Sequence, residues 1–443
     1  MTRKLTIPPK GVDRKRLLEQ MSALKANDVD WRNGKNWSLV YHGGDEHSRF
    51  LKEAYNCYFS ENGLSPTAFP SLRKFETEVV AMMLTLLGAN GNEVGAMTSG
   101  GTESILLAVK TYRDWARVHR PEVIRPEILV PESAHPAFLK AAQYFDVKAV
   151  SVPVDRNYRA DVMALTELFS DQTICIIASA PSFPQGVVDP VEPLGAFAAD
   201  RAVGLHVDAC LGGFMLPFIG RLGYPVPAFD FQVAGVTSIS ADLHKYGYAA
   251  KGASAVFFRS AELRRFQFFA TTDWPGGLYC SPTMAGTRPG GAIAAAWAAL
   301  MSLGEEGYLK LAEQTMAVTR QLMDGIEAIE EFHIIGRPDM SVFTFTSADL
   351  DIFAVSDRML AKGWRLDRQK NPDCLHMIVT PNHGQAVKPF LSDLREAAAL
   401  ERRKSLYDGK KQQAMLYGVT SDVPADVDLQ SYLFEHVENL YQP

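Results

Sequence analysis

Between residues 94 and 259, short apolar runs alternate with stretches whose apolar positions recur at helical spacing. The runs are Val94–Thr98, Glu127–Pro131, Val147–Pro153, Thr173–Ala180, Val203–Asp208, Val236–Ser240 and Ala253–Arg259. Such alternation predicts an α/β fold with a mostly parallel central sheet, one strand per run and seven in all. The first helix is legible in Ile105, Leu106, Val109, Tyr112 and Trp115, which follow the capping sequence Thr102-Glu103-Ser104. After Gly304 the pattern changes to a long helix, Tyr308–Glu330, then strands around Ser341–Thr346 and Leu375–Thr380 with helices between. This predicts a smaller α+β C-terminal domain. Ahead of the sheet lies a polar, aromatic-dotted segment with a helical stretch near Lys15–Lys25.

The expected division is therefore an N-terminal segment over 1–60, a large domain over 61–303 and a small domain over 304–443. A chain of 443 residues exceeds one ordinary core, in keeping with two lobes. The longest apolar run, Ala292–Met301, falls short of the roughly 20 residues a bilayer requires and reads as a buried helix. Residues after Arg403 carry no assignable element.

Hydrophobic residues at 47% and charged residues at 22% are those of an ordinary soluble protein. A net charge of −6 with scattered basic residues argues against a nucleic-acid binder. The five cysteines, Cys57, Cys175, Cys210, Cys280 and Cys374, are far apart, which suits a reducing compartment and offers no zinc framework. Met1–Lys10 has no apolar stretch of signal-peptide length, so a cytoplasmic location is expected, with export as a soluble protein left open.

Four segments carry chemistry. Lys245 follows the apolar run Val233–Ile239, beside His244. Burying a free ammonium is costly, so this lysine either keeps its head in water or has a covalent task. A Schiff base with an aldehyde cofactor fits the second case. The stretch Thr98-Ser99-Gly100-Gly101-Thr102-Glu103-Ser104 joins a strand to a helix. There glycines, hydroxyls and free N–H groups form either a phosphate cup or a capped tight turn. Asp208 ends the fifth run, at the sheet edge where α/β proteins bind ligands. It suits a pyridine-nitrogen partner, a helix cap or a metal ligand, and Ala209 and Cys210 leave room beneath a flat ring. His135, after the second run, is placed to stack on an aromatic ring and move protons, or is a loop histidine beside Pro136. His206 reads as a satisfied core histidine. Cup, histidine, aspartate and lysine at successive strand ends together describe a pyridoxal-phosphate enzyme of the aspartate-aminotransferase fold type.

The same residues resemble the sphingosine-1-phosphate lyase family, within the group II decarboxylase superfamily. The resemblance lies in Phe69-Pro70-Ser71-Leu72-Arg73-Lys74, Thr98–Leu106, His206–Phe214, Gly235–Asp242, His244-Lys245-Tyr246-Gly247-Tyr248, Asp273-Trp274 and Arg288-Pro289-Gly290-Gly291. It implies pyridoxal 5'-phosphate as cofactor and retro-aldol cleavage of a phosphorylated sphingoid base to a long-chain aldehyde and phosphoethanolamine. By the same resemblance Lys245 forms the Schiff base, His135 stacks on the ring, Asp208 pairs with the ring nitrogen and Tyr248 lies near the reacting groups. Ser99, Gly100, Gly101, Thr102, Ala209, Ser240 and His244 complete the cofactor site. Gly286 and Thr287 reach in from the partner of a homodimer. Tyr41, Ser65 and Lys251 hold the substrate phosphate, and the chain is similar to soluble members without a spanning segment.

Two departures stand out. Ser65, in Asn62-Gly63-Leu64-Ser65-Pro66, replaces a histidine usual in the family, and Ala250 replaces a proline. Losing one charge-assisted contact costs about 1.5–3 kcal/mol, roughly ten- to a hundredfold in affinity. The rival readings are an amino-acid decarboxylase sharing cofactor and fold, a metallohydrolase using His206, Asp208, Asp242 and His244, and a catalytically silent binding protein.

Overall fold

The computed structural model describes residues 6–405, 414–416, 419–421 and 428–441. The tail after Arg403, to which the sequence assigns no element, falls largely outside them.

Seven strands form the main sheet: β1 (Val94–Thr98), β2 (Glu127–Pro131), β3 (Lys148–Val152), β4 (Thr173–Ser179), β5 (Gly204–Asp208), β6 (Ser238–Ala241) and β7 (Ser254–Phe258). Their order is β1-β7-β6-β5-β4-β2-β3. The pairs β2·β3, β2·β4, β4·β5 and β5·β6 are parallel, while β7 runs antiparallel to both neighbours. The C-terminal ends of β1, β2, β4, β5 and β6 therefore share one edge of the sheet. The mostly parallel, seven-stranded sheet expected from the apolar runs is present, with one shift. Val233–Val236 is not strand but a turn closed by Val236 N–H on Val233 O at 3.0 Å. Val236 is apolar because it is fully buried in the core, not because it joins the ladder.

Helices α1 (Arg14–Lys25) and α2 (Asp45–Cys57) lie in the N-terminal segment, and α3 (Pro70–Leu86) precedes the sheet. Between strands run α4 (Gly101–His119), α5 (Ala137–Phe145), α6 (Val162–Leu168), α7 (Val191–Asp200) and α8 (Gly212–Arg221). Beyond β7 come the short α9 (Ala261–Arg264) and a hairpin of β8 (Phe269–Thr271) and β9 (Tyr279–Ser281). The long α10 (Gly290–Glu327) is two helices meeting at Gly304, whose φ of 58° and ψ of −176° break the path. It joins the separately expected Ala292–Met301 and Tyr308–Glu330 helices.

The second sheet is antiparallel, β10 (Phe332–Ile334), β11 (Val342–Ser347), β12 (Asp367–Gln369) and β13 (Cys374–Ile378), in the order β10-β11-β13-β12. Helices α11 (Ile352–Ala361) and α12 (Val387–Ser405) belong with it. Three-residue strands such as β10 and β12 are too short to show a period in sequence.

Two cores support the lobes. Tyr308, Leu311, Ala312 and Met316 still pack in the large core, and the second core starts at Val318. Trp37, from the N-terminal segment, is fully buried in that second core, 4.4 Å from the His383 ring and 4.7 Å from Phe390. Its carbonyl accepts Ile378 N–H at 2.7 Å. The segment after Trp37 is thereby fixed close to the ends of the main strands.

Candidate active site

A cavity of about 450 Å³ opens where the parallel strands end. Ser99, Gly100, Gly101 and Thr102 line it after β1, His135 after β2, Ser179 and Pro181 at β4, Asp208 at β5, and Asp242, His244 and Lys245 after β6. One cavity thus collects eight of the residues singled out in sequence: Ser99, Gly100, Gly101, Thr102, His135, Asp208, His244 and Lys245.

The cup is built on hydroxyls. Thr98 Oγ1 lies 2.7 Å from Ser104 Oγ, which lies 2.9 Å from Ser254 Oγ on β7. This buried chain fixes the start of α4 against two strands. Gly100 has room for a ligand, its nearest side-chain neighbour being His244. Gly101 has none, because a Cβ there would fall 2.9 Å from both Asp242 Oδ2 and Cys210 Sγ.

Asp208 is buried, and its Oδ1 accepts Cys210 N–H at 3.1 Å and Ser240 O–H at 3.2 Å. Ser240 and Ala209 are buried behind the cavity wall and do not line it. His206 Nδ1 and Nε2 meet the hydroxyls of Ser238 at 2.7 Å and Ser240 at 3.2 Å. Burial lowers its pKa to about 4, so it is a neutral, satisfied core residue. His135 Nδ1 accepts Ala137 N–H at 3.1 Å, which leaves the proton of the neutral ring on Nε2. Burial lowers its pKa as well.

Lys245 Nζ lies 3.0 Å from Asp242 Oδ2. Burial alone would lower the pKa of this ammonium, but the facing groups, Asp242 foremost, raise it. The next residue anchors the segment to the small lobe: Tyr246 Oη donates to Val379 O at 2.9 Å and accepts the Ser341 hydroxyl at 2.7 Å. Tyr41 packs edge-on against Tyr246, ring centroids 5.0 Å apart. Over the Tyr41 ring, at 5.1 Å, sits Lys251 Nζ, which also donates to His244 O at 3.3 Å. Lys251 as a whole is exposed, yet desolvation of its ammonium and then the Lys245 charge lower its pKa to about 8.

Other sequence candidates lie elsewhere. Tyr248 does not line the cavity. Its hydroxyl is buried without a hydrogen-bond partner among the described residues, beside a Thr315 hydroxyl committed to Leu311 O. Tyr248 has a left-handed backbone, φ 51°, and its side chain is buried in the large core. Ser65 lines a second cavity of about 540 Å³ with Arg73, Arg264 and Arg288. Gly286 lies near Leu64, and Arg288 O accepts Gly63 N–H at 2.8 Å, so the Gly286-Thr287 loop and the Ser65 segment are neighbours, and none of Ser65, Gly286 and Thr287 lines the cavity that holds Lys245.

Sequence reasoning passed over Asp242, except as a metal-ligand rival, and the cavity-lining Glu103. Their signal was spacing: Asp242 precedes Lys245 by three residues, and Glu103 follows Ser99 by four.

The donors fit pyridoxal 5'-phosphate: a helix N-terminus edged by hydroxyls for phosphate, a buried carboxylate for a ring nitrogen and a half-buried, cavity-lining lysine for an aldehyde. Fold and site together are those of a pyridoxal-phosphate enzyme, and residues 17–347 match the family described as pyridoxal-dependent decarboxylase conserved domain. Within that class the chain belongs to the sphingosine-1-phosphate lyase family. It is 49% identical over 399 residues to sphingosine-1-phosphate lyase of Arabidopsis thaliana, covering 88% of this chain and 73% of that protein. Sphingosine-1-phosphate lyase 1 of Rattus norvegicus is 44% identical over 395 residues, 88% of this chain and 69% of the other. The sphingosine-1-phosphate lyase structure from Burkholderia pseudomallei superposes with a TM-score of 0.90 at 37% identity, over 99% of this chain and 98% of that one. Glutamate decarboxylase of Lactobacillus brevis shares the fold, with a TM-score of 0.79 at 20% identity over 91% of this chain and 96% of the other.

Proposed function

We propose that this protein is a pyridoxal-phosphate-dependent carbon–carbon lyase that cleaves phosphorylated sphingoid bases into a long-chain aldehyde and phosphoethanolamine. The observation that carries this reading is the Lys251–Tyr41 pair beside Lys245. It supplies a cation for a substrate phosphate a short reach from the cofactor lysine, a feature that an amino-acid decarboxylase does not require.

Bound in the cavity, pyridoxal 5'-phosphate supplies an aldehyde for amines and an electron-withdrawing ring that accepts the electron pair of the broken bond. Ser99, Gly100, Gly101, Thr102 and His244 would hold its phosphate. Asp208, steadied by Cys210 N–H and the Ser240 hydroxyl, would keep a proton on the ring nitrogen. His135 lines one wall, and with Nδ1 engaged by Ala137 N–H its neutral ring carries the proton on Nε2. Lys245 and His135 are the groups placed to move protons; Tyr248, facing the core, is not.

We also propose a two-fold homodimer in which Ser65 and the Gly286-Thr287 loop of one subunit complete the site of the other. The division into an N-terminal segment and two lobes belongs to the same proposal, with the large lobe's packing carried to about Met316. No described helix is long and apolar enough to cross a membrane. A cytoplasmic location accords with the five free cysteines.

The deciding experiment incubates the purified protein with phosphorylated sphingoid bases and traps the aldehyde. Aldehyde and phosphoethanolamine in equal amounts are the expected products. Carbon dioxide released from amino acids, with no aldehyde, would establish the decarboxylase instead.

A further inference from the structure

Asp242 follows the end of β6 and its side chain is 1% exposed. Oδ2 lies 3.0 Å from Lys245 Nζ and 3.6 Å from His244 Nε2. Oδ1 is buried and has no hydrogen-bond partner among the described residues. Both oxygens press against the first residue of α4, since a Cβ on Gly101 would come within 2.9 and 3.0 Å of them. A carboxylate thus sits against the helix end that is to hold a phosphate. Two anions at such range repel unless a cation stands between them.

The groups facing Lys245 identify that cation. They are Asp242, Cys210, Tyr41 and Asp208, with His135 and Lys251 also within electrostatic range and His244 beside Asp242. Burial pushes the Cys210 thiol and the Tyr41 hydroxyl up, so both are neutral. His244 is neutral as well, burial lowering its pKa to about 4. Asp208 is already engaged by Cys210 N–H and the Ser240 hydroxyl. Asp242 is left with the Lys245 nitrogen as its direct cationic contact.

We infer that Asp242 is the counter-ion of the Lys245 nitrogen, holding one positive charge there both in the free lysine and when the lysine is joined to the cofactor aldehyde. The charge balances across that step. An ammonium and an aldehyde combine with loss of one water, the C=O bond gives way to C=N, and the product nitrogen still carries one proton and one positive charge. Asp242 touches neither substrate nor cofactor atoms in this scheme; it is a positioning residue acting through Lys245. On this view Gly101 serves Asp242 as well as the phosphate.

The inference rests on Lys245 being the cofactor lysine, and the test separates the two. Asp242→Asn keeps the size of the side chain and its packing under Gly101. Loaded with pyridoxal 5'-phosphate and titrated by its visible absorbance, this variant should show the midpoint for deprotonation of the Lys245 linkage lowered by about 1 to 3 pH units. Amine-selective labelling of the cofactor-free protein, with Lys245 followed by peptide mass, should show the same downward shift. An unchanged midpoint in both measurements overturns the inference. If the variant does not fold, labelling of the unaltered protein decides. A Lys245 midpoint above the roughly 10.4 of free lysine supports the inference, and one below it overturns it. Lys245→Ala is the separate control: a visible band that persists there would refute the cofactor-lysine reading itself.

Discussion

Glu103 accepts both the N–H and the hydroxyl of Ser99 on one carboxylate oxygen, each at 2.6 Å. Its other oxygen accepts Met284 N–H at 2.9 Å and Ala285 N–H at 3.4 Å. One buried carboxylate therefore joins the phosphate cup to the loop ending in Gly286 and Thr287, the loop proposed to enter the partner's site. Glu103→Gln removes the charge and replaces an acceptor with a donor facing N–H groups. The expected result is cofactor affinity weakened about tenfold or more, measured by equilibrium dialysis. Affinity equal to the parent would show that the cup stands without this tie.

Lys251 carries its charge below a pKa of about 8 and loses it above. Desolvation and Lys245 have already shifted it down from the usual lysine value, so the loss falls within the accessible pH range. KM for a phosphorylated substrate should hold steady at lower pH and rise about tenfold per unit beyond pH 8. Lys251→Gln should raise KM about ten- to a hundredfold, lower kcat less and flatten that rise. A variant whose KM keeps the parental pH dependence would assign the titration to another group.

Asp208→Asn leaves the hydrogen-bonded shape of the site but withdraws the negative charge from the ring-nitrogen position. Turnover should fall by about a hundredfold or more while the protein still binds the cofactor. Retained turnover would mean that the electron sink does not depend on this carboxylate.

Gly186 has φ +69°, and a Cβ there would fall 1.8 Å from Val342 O on β11. Its carbonyl accepts Asp339 N–H at 2.9 Å, and Asp339 in turn pairs with Arg159. Gly186→Ala must break this contact between the lobes, beyond the strain of the left-handed backbone. A loss of about 1–3 kcal/mol is expected, read as a lowered thermal midpoint. Phe183, three residues earlier, lines the cavity and packs 4.2 Å from the His376 ring, so turnover should fall with it.

The strands and the first helix were legible because their apolar periods are long and are interrupted by turn residues. Lys245, Asp208, His135 and Ser99–Thr102 come together at one cavity because a parallel sheet places residues that follow strand ends at one edge. Val236 misled because burial, rather than strand pairing, makes it apolar. Tyr248 follows Lys245 in the same motif but does not line the cavity. Its place in the motif reveals neither its left-handed backbone, φ 51°, nor the burial of its ring.

The sequence by itself determined the class of chemistry, since the lysine, the aspartate and the glycine-rich turn follow from strand ends that local pattern reveals. Only the tertiary structure decided which groups share charge. Asp242 and Lys245 are an ion pair because the turn after β6 folds back beneath Gly101. Lys251 stands over Tyr41 because Trp37 is buried in the small lobe and holds the N-terminal segment in place. Those relations depend on distances of a few ångströms that the fold sets, whether the residues are three apart, as Asp242 and Lys245 are, or remote, as Tyr41 and Lys251 are, and coulombic and desolvation energies vary most steeply at that range.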